Sequence, residues 1–384
     1  MKKFSVIITH YNQMKYIEES LVSVLKQNYR NVELIVADDC SRLFNKKKVE
    51  KIINKYNKSN FEYKILVGEK NQGTVKNLNN AVRNATGDYI LFFAADDKLY
   101  DENVISNFVK EFEDKEKKVV TTQCLLYDEF LKKKISNYVN PIKAHFINKK
   151  SSFKIYEKMA EGCFYGSGGT AYRKEVFKKY GLFDENYPFV EDWSYWLKIL
   201  REGTKMYYAN FKTLCHRDGG ISHSQYTPDT LPKHVKQYYC DIINIYKNEV
   251  FPYLDKFNMF EKYRILVQFQ ETTMYYGMFV PKLNEELNFI NIERSKDKKF
   301  NMFWKIMKVF RNFKTFIVRR IQILLKYNIT IPITFAVWFL SMLLVVNNIK
   351  MEKNIMLIIY VASYFAIYTI VNLIVNVIKY FKNY

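Results

Sequence analysis

Gly87-Asp88-Tyr89-Ile90-Leu91-Phe92-Phe93-Ala94-Ala95-Asp96-Asp97-Lys98-Leu99 is the stretch whose reading decides the fold. A glycine opens its apolar run and charges close it. That pattern predicts a short buried strand, parallel to its neighbours and covered on both faces. Asp96 and Asp97 then fall at the strand's carboxyl end, the edge where open α/β sheets hold their ligands. Adjacent carboxylates repel there unless a positive group lies between or above them. Hydrated Mg²⁺ or Mn²⁺ carrying substrate phosphates is the usual partner, because hard cations take oxygen ligands and phosphate. A lone Asp-Asp pair is more often a solvated turn, so the flanking sequence must decide.

Upstream, a helix over Val75–Asn84 runs straight into this strand, preceded by Asn71-Gln72-Gly73 and a strand over Tyr63–Val67. The chain itself begins with a strand, Phe4–Thr9, followed by His10-Tyr11-Asn12 and an amphipathic helix near Tyr16–Gln27. Leu21, Val24 and Leu25 supply that helix's apolar stripe. A second strand, Val32–Ala37, ends in Asp38-Asp39-Cys40-Ser41. Strand, helix and strand in this order form a βαβ unit, which is parallel and right-handed. No Gly-x-Gly-x-x-Gly follows the first strand and no Walker lysine is present, which weakens dinucleotide and P-loop readings.

Downstream, the pattern predicts a helix over Glu102–Phe112, a strand around Val119–Leu126, a solvated loop or hairpin at Lys132-Lys133-Lys134, and helix over 145–162. The glycine cluster from Gly162 to Thr170 lacks a following Lys-Ser or Lys-Thr, so it reads as a tight backbone approach rather than a phosphate cradle. Further on, Trp193, Trp196, Leu197 and Leu200 form a helical stripe, which puts Glu191 and Asp192 at that helix's N-terminus. There the dipole favours anions, although acids at a helix start are also ordinary capping.

These segments together resemble the family 2 glycosyltransferases. The motifs are Ser5-Val6-Ile7-Ile8-Thr9-His10-Tyr11-Asn12, Ala37-Asp38-Asp39-Cys40-Ser41, Asn71-Gln72-Gly73, Gly87-Asp88-Tyr89-Ile90 and Asp96-Asp97, in the family's order and spacing over roughly residues 4 to 222. The resemblance implies the GT-A fold, a nucleotide-binding α/β half merged with an acceptor-binding half. Position by position, it puts Thr9 and Tyr11 beside the nucleobase and Asp39 in hydrogen-bonding reach of it. Lys76 becomes a phosphate or base contact, Asp96 faces the ribose, and Asp97 holds the Mn²⁺ or Mg²⁺ that bridges the diphosphate. Asp192 becomes the base that deprotonates the acceptor hydroxyl, supported by Glu191. Cys215-His216-Arg217-Asp218-Gly219-Gly220 resembles a loop closing over the diphosphate, with His216 or Arg217 offsetting its charge. Two positions depart from the family pattern. Thr9 replaces a frequent proline, and Ala94 stands where many members place a first metal-binding acid, which leaves the number of carboxylate ligands open.

With 384 residues, 17% aromatic content and a net charge of +21, the chain is no disordered polymer, and its charge calls for an anionic partner. Five scattered cysteines without a CxxC pair fit a reducing compartment and give no zinc site. The opening residues have too short an apolar run for a signal peptide. Residues 226–295 read as a helical extension of the 1–225 catalytic domain. The stretch 296–327 reads as a basic amphipathic helix suited to a membrane interface. Nucleic acid is the rival partner for such charge, but residues 329–348 and 355–378 carry no charge and predict two transmembrane helices, which favours the membrane.

The sequence is thus expected to encode an α/β GT-A enzyme with a two-helix transmembrane hairpin at the cell membrane, its catalytic domain on the cytoplasmic side. Its reaction is expected to be an inverting, metal-dependent transfer from a nucleotide sugar, UDP-linked by preference, to a lipid-linked saccharide of cell-surface polysaccharide assembly. The alternatives are a polyprenyl-phosphate sugar synthase, against which Ala94 and Ala95 argue, and an inactive membrane scaffold that keeps the fold.

Overall fold

The computed structural model describes residues 1–139, 141–164, 166–218, 226–309 and 311–312. The chain divides into two compact units, Met1–Asn301 and Met302–Tyr384. In the second, residues 302–309 and 311–312 are helical, and everything beyond lies outside the described residues.

The first unit is built on a nine-stranded sheet. Its strands are β1 (Phe4–His10), β2 (Val32–Asp38), β3 (Glu62–Val67), β4 (Tyr89–Ala94), β5 (Lys98–Leu99), β6 (Val119–Tyr127), β7 (Lys134–Asn137), β8 (Thr170–Arg173) and β9 (Met206–Arg217). The sheet order is β3-β2-β1-β4-β8-β6-β9-β5, with β7 hairpinned onto β6. The first four strands are parallel, in a register that pairs Thr9 with both Ala37 and Ala94. His10, Asp38 and Asp96 therefore emerge at one edge. The decisive strand is buried on both faces, as its unbroken apolar run demands. Gly87 is required just before it, because a Cβ there would stand 2.6 Å from Ser5 Oγ.

The helices are α1 (Ile17–Leu25), α2 (Lys46–Tyr56), α3 (Thr74–Asn84), α4 (Val104–Glu111), α5 (Pro141–Lys149), α6 (Ser152–Met159), α7 (Lys174–Tyr180), α8 (Glu191–Arg201), α9 (Lys233–Ile245), α10 (Met259–Gly277) and α11 (Asn288–Lys296). Helix α2 hides in a lysine-rich run, yet Val49, Ile52 and Ile53 give it a buried stripe and Asn45 caps it by accepting from Lys48 N at 2.9 Å. The helix expected over 145–162 is two helices, with Ser151 restarting the second as its N-cap.

The second half of the sheet positions chemistry. Strand β9 runs parallel to β6 and antiparallel to β5, pairing Cys215 with Lys98. Asp97, one residue before Lys98, is thereby brought beside His216. The expected loop at Cys215-His216-Arg217 is thus the last part of a strand; the Gly219-Gly220 signal that suggested a loop lies outside the described residues.

The transmembrane hairpin requires correction. Among the described residues no helix is long and apolar enough to cross a membrane, and the stretches 329–348 and 355–378 lie outside them. The longest described helix, α10 with 19 residues, carries Glu261, Lys262, Arg264 and Glu271, charges a hydrocarbon core rejects. What the described residues form is the α/β fold expected of GT-A without the hairpin, and the multi-pass membrane placement, which rested on that hairpin, falls with it. Half of the basic helix expected over 296–327 lies outside the described residues; of the rest, residue 297 is not helical and 298–309 are.

Candidate active site

The carboxyl edge of β1, β2 and β4 gathers the residues expected to meet a nucleotide. Thr9 donates its hydroxyl to Phe93 O at 3.4 Å. Tyr11 is 48% exposed, and Lys76 is exposed on α3. Buried Asp39 accepts the backbone N–H groups of Gln72 and Gly73, each at 2.8 Å, and so ties the Asn71-Gln72-Gly73 turn to the end of β2. Burial raises its pKa, while those two N–H groups pull it down. Gly73 sits at φ +89°, which explains the glycine before α3. Sequence reading gave no role to His10, yet its ring meets Asp38 at 2.6 Å and Ser41 at 3.2 Å, and accepts from Gln13 N at 3.2 Å. That buried network fixes the tips of β1 and β2, which carry Tyr11 and Asp39.

Asp96 and Asp97 part company in the turn after β4. Asp96 Oδ1 is buried without a hydrogen-bond partner. Burial, and then the charge of Asp97, push its pKa up to about 6. Asp97 is well supplied, with His216 Nδ1 2.8 Å from its Oδ2 and Arg217 N donating to its Oδ1 at 3.0 Å. Burial lowers the His216 pKa, but Asp97 outweighs it and the net shift is upward. Arg217 is 5% exposed. Its guanidinium donates to the carbonyls of Asp96 and Glu129 and to Glu19, and lies over the Tyr16 ring at 4.4 Å. Arg217 thus braces the Asp96-Asp97 turn from within the protein.

Across from this turn, α8 begins at Glu191. Trp193 and Trp196 anchor it, their indole nitrogens donating to Met159 O at 2.9 Å and Tyr172 Oη at 2.7 Å. Asp192 accepts the N–H of Trp193 at 2.6 Å. The dipole at this helix start was expected to keep the carboxylate ionised. Instead, desolvation and then the neighbouring Glu191 charge raise the Asp192 pKa, and these outweigh the helix-end N–H groups.

Asp97, His216, Glu191 and Asp192 line one cavity of about 370 Å³. Thr9, Tyr11, Asp39, Lys76, Asp96 and Arg217 are not in its wall. Gly166 and Gly168 are, and a Cβ at Gly168 would stand 2.6 Å from Leu214 Cδ2. Three aromatic residues in the wall were missed: Tyr138, whose ring packs edge-on against His216 at 5.6 Å, Phe189 and Tyr238. Only Tyr238 carried a signal, its spacing of four from Ile242 on a helix.

Among the described residues no cluster of three or more His, Cys, Asp or Glu could hold a metal ion. The donors that do meet are Asp97 and His216, with the unpaired Oδ1 of Asp96 in the same turn. This set fits an ion that takes one or two protein ligands and completes its shell with phosphate oxygens and water.

Residues 5–181, a little under half of the chain, match the family described as Glycosyl transferase family 2. An uncharacterized glycosyltransferase of Rickettsia typhi is 32% identical over 201 residues, 51% of this chain and 58% of that protein. TarS of Staphylococcus aureus, a poly(ribitol-phosphate) beta-N-acetylglucosaminyltransferase, is 39% identical over 107 residues, 27% of this chain and 18% of TarS. The chain thus spans well under two thirds of the length of either relative. The crystal structure of TarS residues 1–349 superposes with a TM-score of 0.50 at 17% identity, covering 81% of this chain and 91% of that one, a likeness of fold.

Proposed function

We propose that the chain is an inverting glycosyltransferase that moves a sugar from a nucleotide sugar, UDP-linked by preference, to a saccharide hydroxyl. The observation that carries this reading is the shared cavity. It brings Asp97 and His216, from the β4 turn and the end of β9, together with Asp192 at the start of α8. One end suits a diphosphate and the other suits a proton acceptor.

In this reading the acceptor oxygen attacks the anomeric carbon as the bond from that carbon to the diphosphate oxygen breaks, and Asp192 takes the hydroxyl proton. A single displacement inverts the anomeric centre. A carboxylate whose pKa is raised toward the working pH is a stronger base than an ordinary aspartate. Asp97 and His216 would hold a divalent ion, whose chemistry is to neutralise charge on the diphosphate. The acceptor class carried forward is a lipid-linked saccharide of cell-surface polymer assembly. The name of TarS gives that relative a poly(ribitol-phosphate) acceptor, a polyol phosphate rather than a saccharide, so it bears on sugar transfer and not on this acceptor class.

A thermal-shift screen with UDP-, GDP- and dTDP-sugars and Mn²⁺ tests the donor, since a ligand that binds only the folded state raises its stability. UDP-sugars are expected to raise the melting temperature most. A protein that no nucleotide sugar stabilises would contradict the reading.

A further inference from the structure

The cavity has a wall that the family-matched stretch does not supply. Helix α9 contributes Tyr238 and Ile242, one turn apart, to the cavity that holds Asp192. Both lie beyond residue 181, where the family match ends.

This wall is fixed in place. Tyr239, next to Tyr238 on α9, stacks on the Tyr276 ring of α10 with centroids 4.1 Å apart. Fully buried Asp241 accepts Phe189 N at 3.0 Å and Gln237 Nε2 at 2.8 Å, which ties α9 to the turn before Glu191. The α9 wall and the Asp192 carboxylate are therefore held to one another through residues 189–192. Tyr238 is close enough to Asp192 for that charge to act on its hydroxyl.

An aromatic wall beside a carboxylate is the chemistry that recognises a pyranose. The ring's axial C–H groups carry partial positive charge and suit the negative face of an aromatic side chain. Its hydroxyls can then reach the carboxylate. An acyclic polyol phosphate offers no such face, and it would carry an anion toward Glu191 and Asp192, which already repel each other. We infer that Tyr238, with Ile242 and Phe189 beside it, forms the acceptor subsite and selects a pyranose ring for glycosylation. This inference rests on the transferase reading above.

Ligand-observed NMR on the full chain loaded with UDP and Mg²⁺ tests it. The probes are methyl β-D-glucopyranoside, methyl N-acetyl-β-D-glucosaminide and D-ribitol 5-phosphate. At least one pyranoside is expected to bind, and ribitol phosphate to bind about tenfold more weakly or not at all. Tyr238→Ala should weaken the pyranoside about tenfold, whereas Tyr238→Phe, which keeps the ring, should stay within about twofold. UDP binding reports that each variant is folded. Should Tyr238→Ala fail that control, Ile242→Ala replaces it, with an expected loss of about threefold. Pyranoside binding unchanged in a folded Tyr238→Ala protein would overturn the inference. So would preference for ribitol phosphate, or a UDP-loaded parent that binds no pyranoside. A parent that binds no UDP would instead overturn the transferase reading, and this inference with it.

Discussion

Asp97 and Asp192 face the same cavity from opposite electrostatic worlds. Asp97 is met by the His216 ring and by the N–H of Arg217, in a turn that a buried guanidinium braces. Asp192 is met by the N–H of Trp193 and by the charge of Glu191 beside it, and burial raises its pKa. A carboxylate whose two oxygens each accept a hydrogen bond is fixed in orientation. One that is desolvated and crowded by another acid gains proton affinity. The difference assigns the roles: Asp97 belongs to the diphosphate end, and Asp192 belongs to the bond-forming end.

The largest expected effect breaks that comparison at the base. Asp192→Asn keeps the shape but cannot accept the proton, so kcat should fall by about 10²–10⁴-fold. In the parent enzyme the acid limb of the kcat profile should lie above the ordinary aspartate range, because Asp192 acts only when ionised and its pKa is raised. Glu191→Gln removes one cause of that rise and should move the limb to lower pH. Steady-state rates across pH check all of these outcomes.

Glu33 marks the fully compensated extreme, a buried acid remote from the cavity. Burial pushes its pKa up, but hydrogen bonds from Lys64, Ser5 and Thr86 outweigh that and hold it at about 2. The folded pKa lies below the unfolded one, so the stabilisation is present above about pH 4.5 and is lost as pH falls toward 2. At neutral pH it is on the order of 3 kcal/mol. Denaturant unfolding of Glu33→Gln against the parent should show a loss of about that size at pH 7 that shrinks toward pH 3.

The smallest effect lies on the nucleotide side. Cys40 holds φ at +59°, a left-handed conformation that costs a non-glycine residue about 1 kcal/mol. Its thiol is exposed and makes only a long contact to Glu69 O at 3.5 Å. Cys40→Gly should therefore raise stability by up to about 1 kcal/mol, measured by the same unfolding assay.

The parallel half of the fold was legible because its strands are short apolar runs punctuated by Gly87, Gly73 and the acids at their ends. Helix α2 was missed because lysines dominate its sequence and only three positions are buried. Strand β9 was missed because its pairing with β5 and β6 spans more than eighty residues, and no local pattern encodes a partner that distant. The motifs picked out Asp97 and Asp192 one by one. That they share a cavity follows from β9 and α8 together, and the sequence alone did not show it. The helix-end argument for Asp192 weighed the dipole and left out desolvation and the Glu191 charge, which raise its pKa in the fold.

The most direct test of the division between the two carboxylates is UDP binding by calorimetry in the presence of Mn²⁺, comparing Asp97→Asn and Asp192→Asn with the parent. The account predicts that Asp97→Asn weakens UDP about tenfold or more, while Asp192→Asn binds it within about twofold of the parent. Equal losses in both variants, or a loss confined to Asp192→Asn, would contradict it.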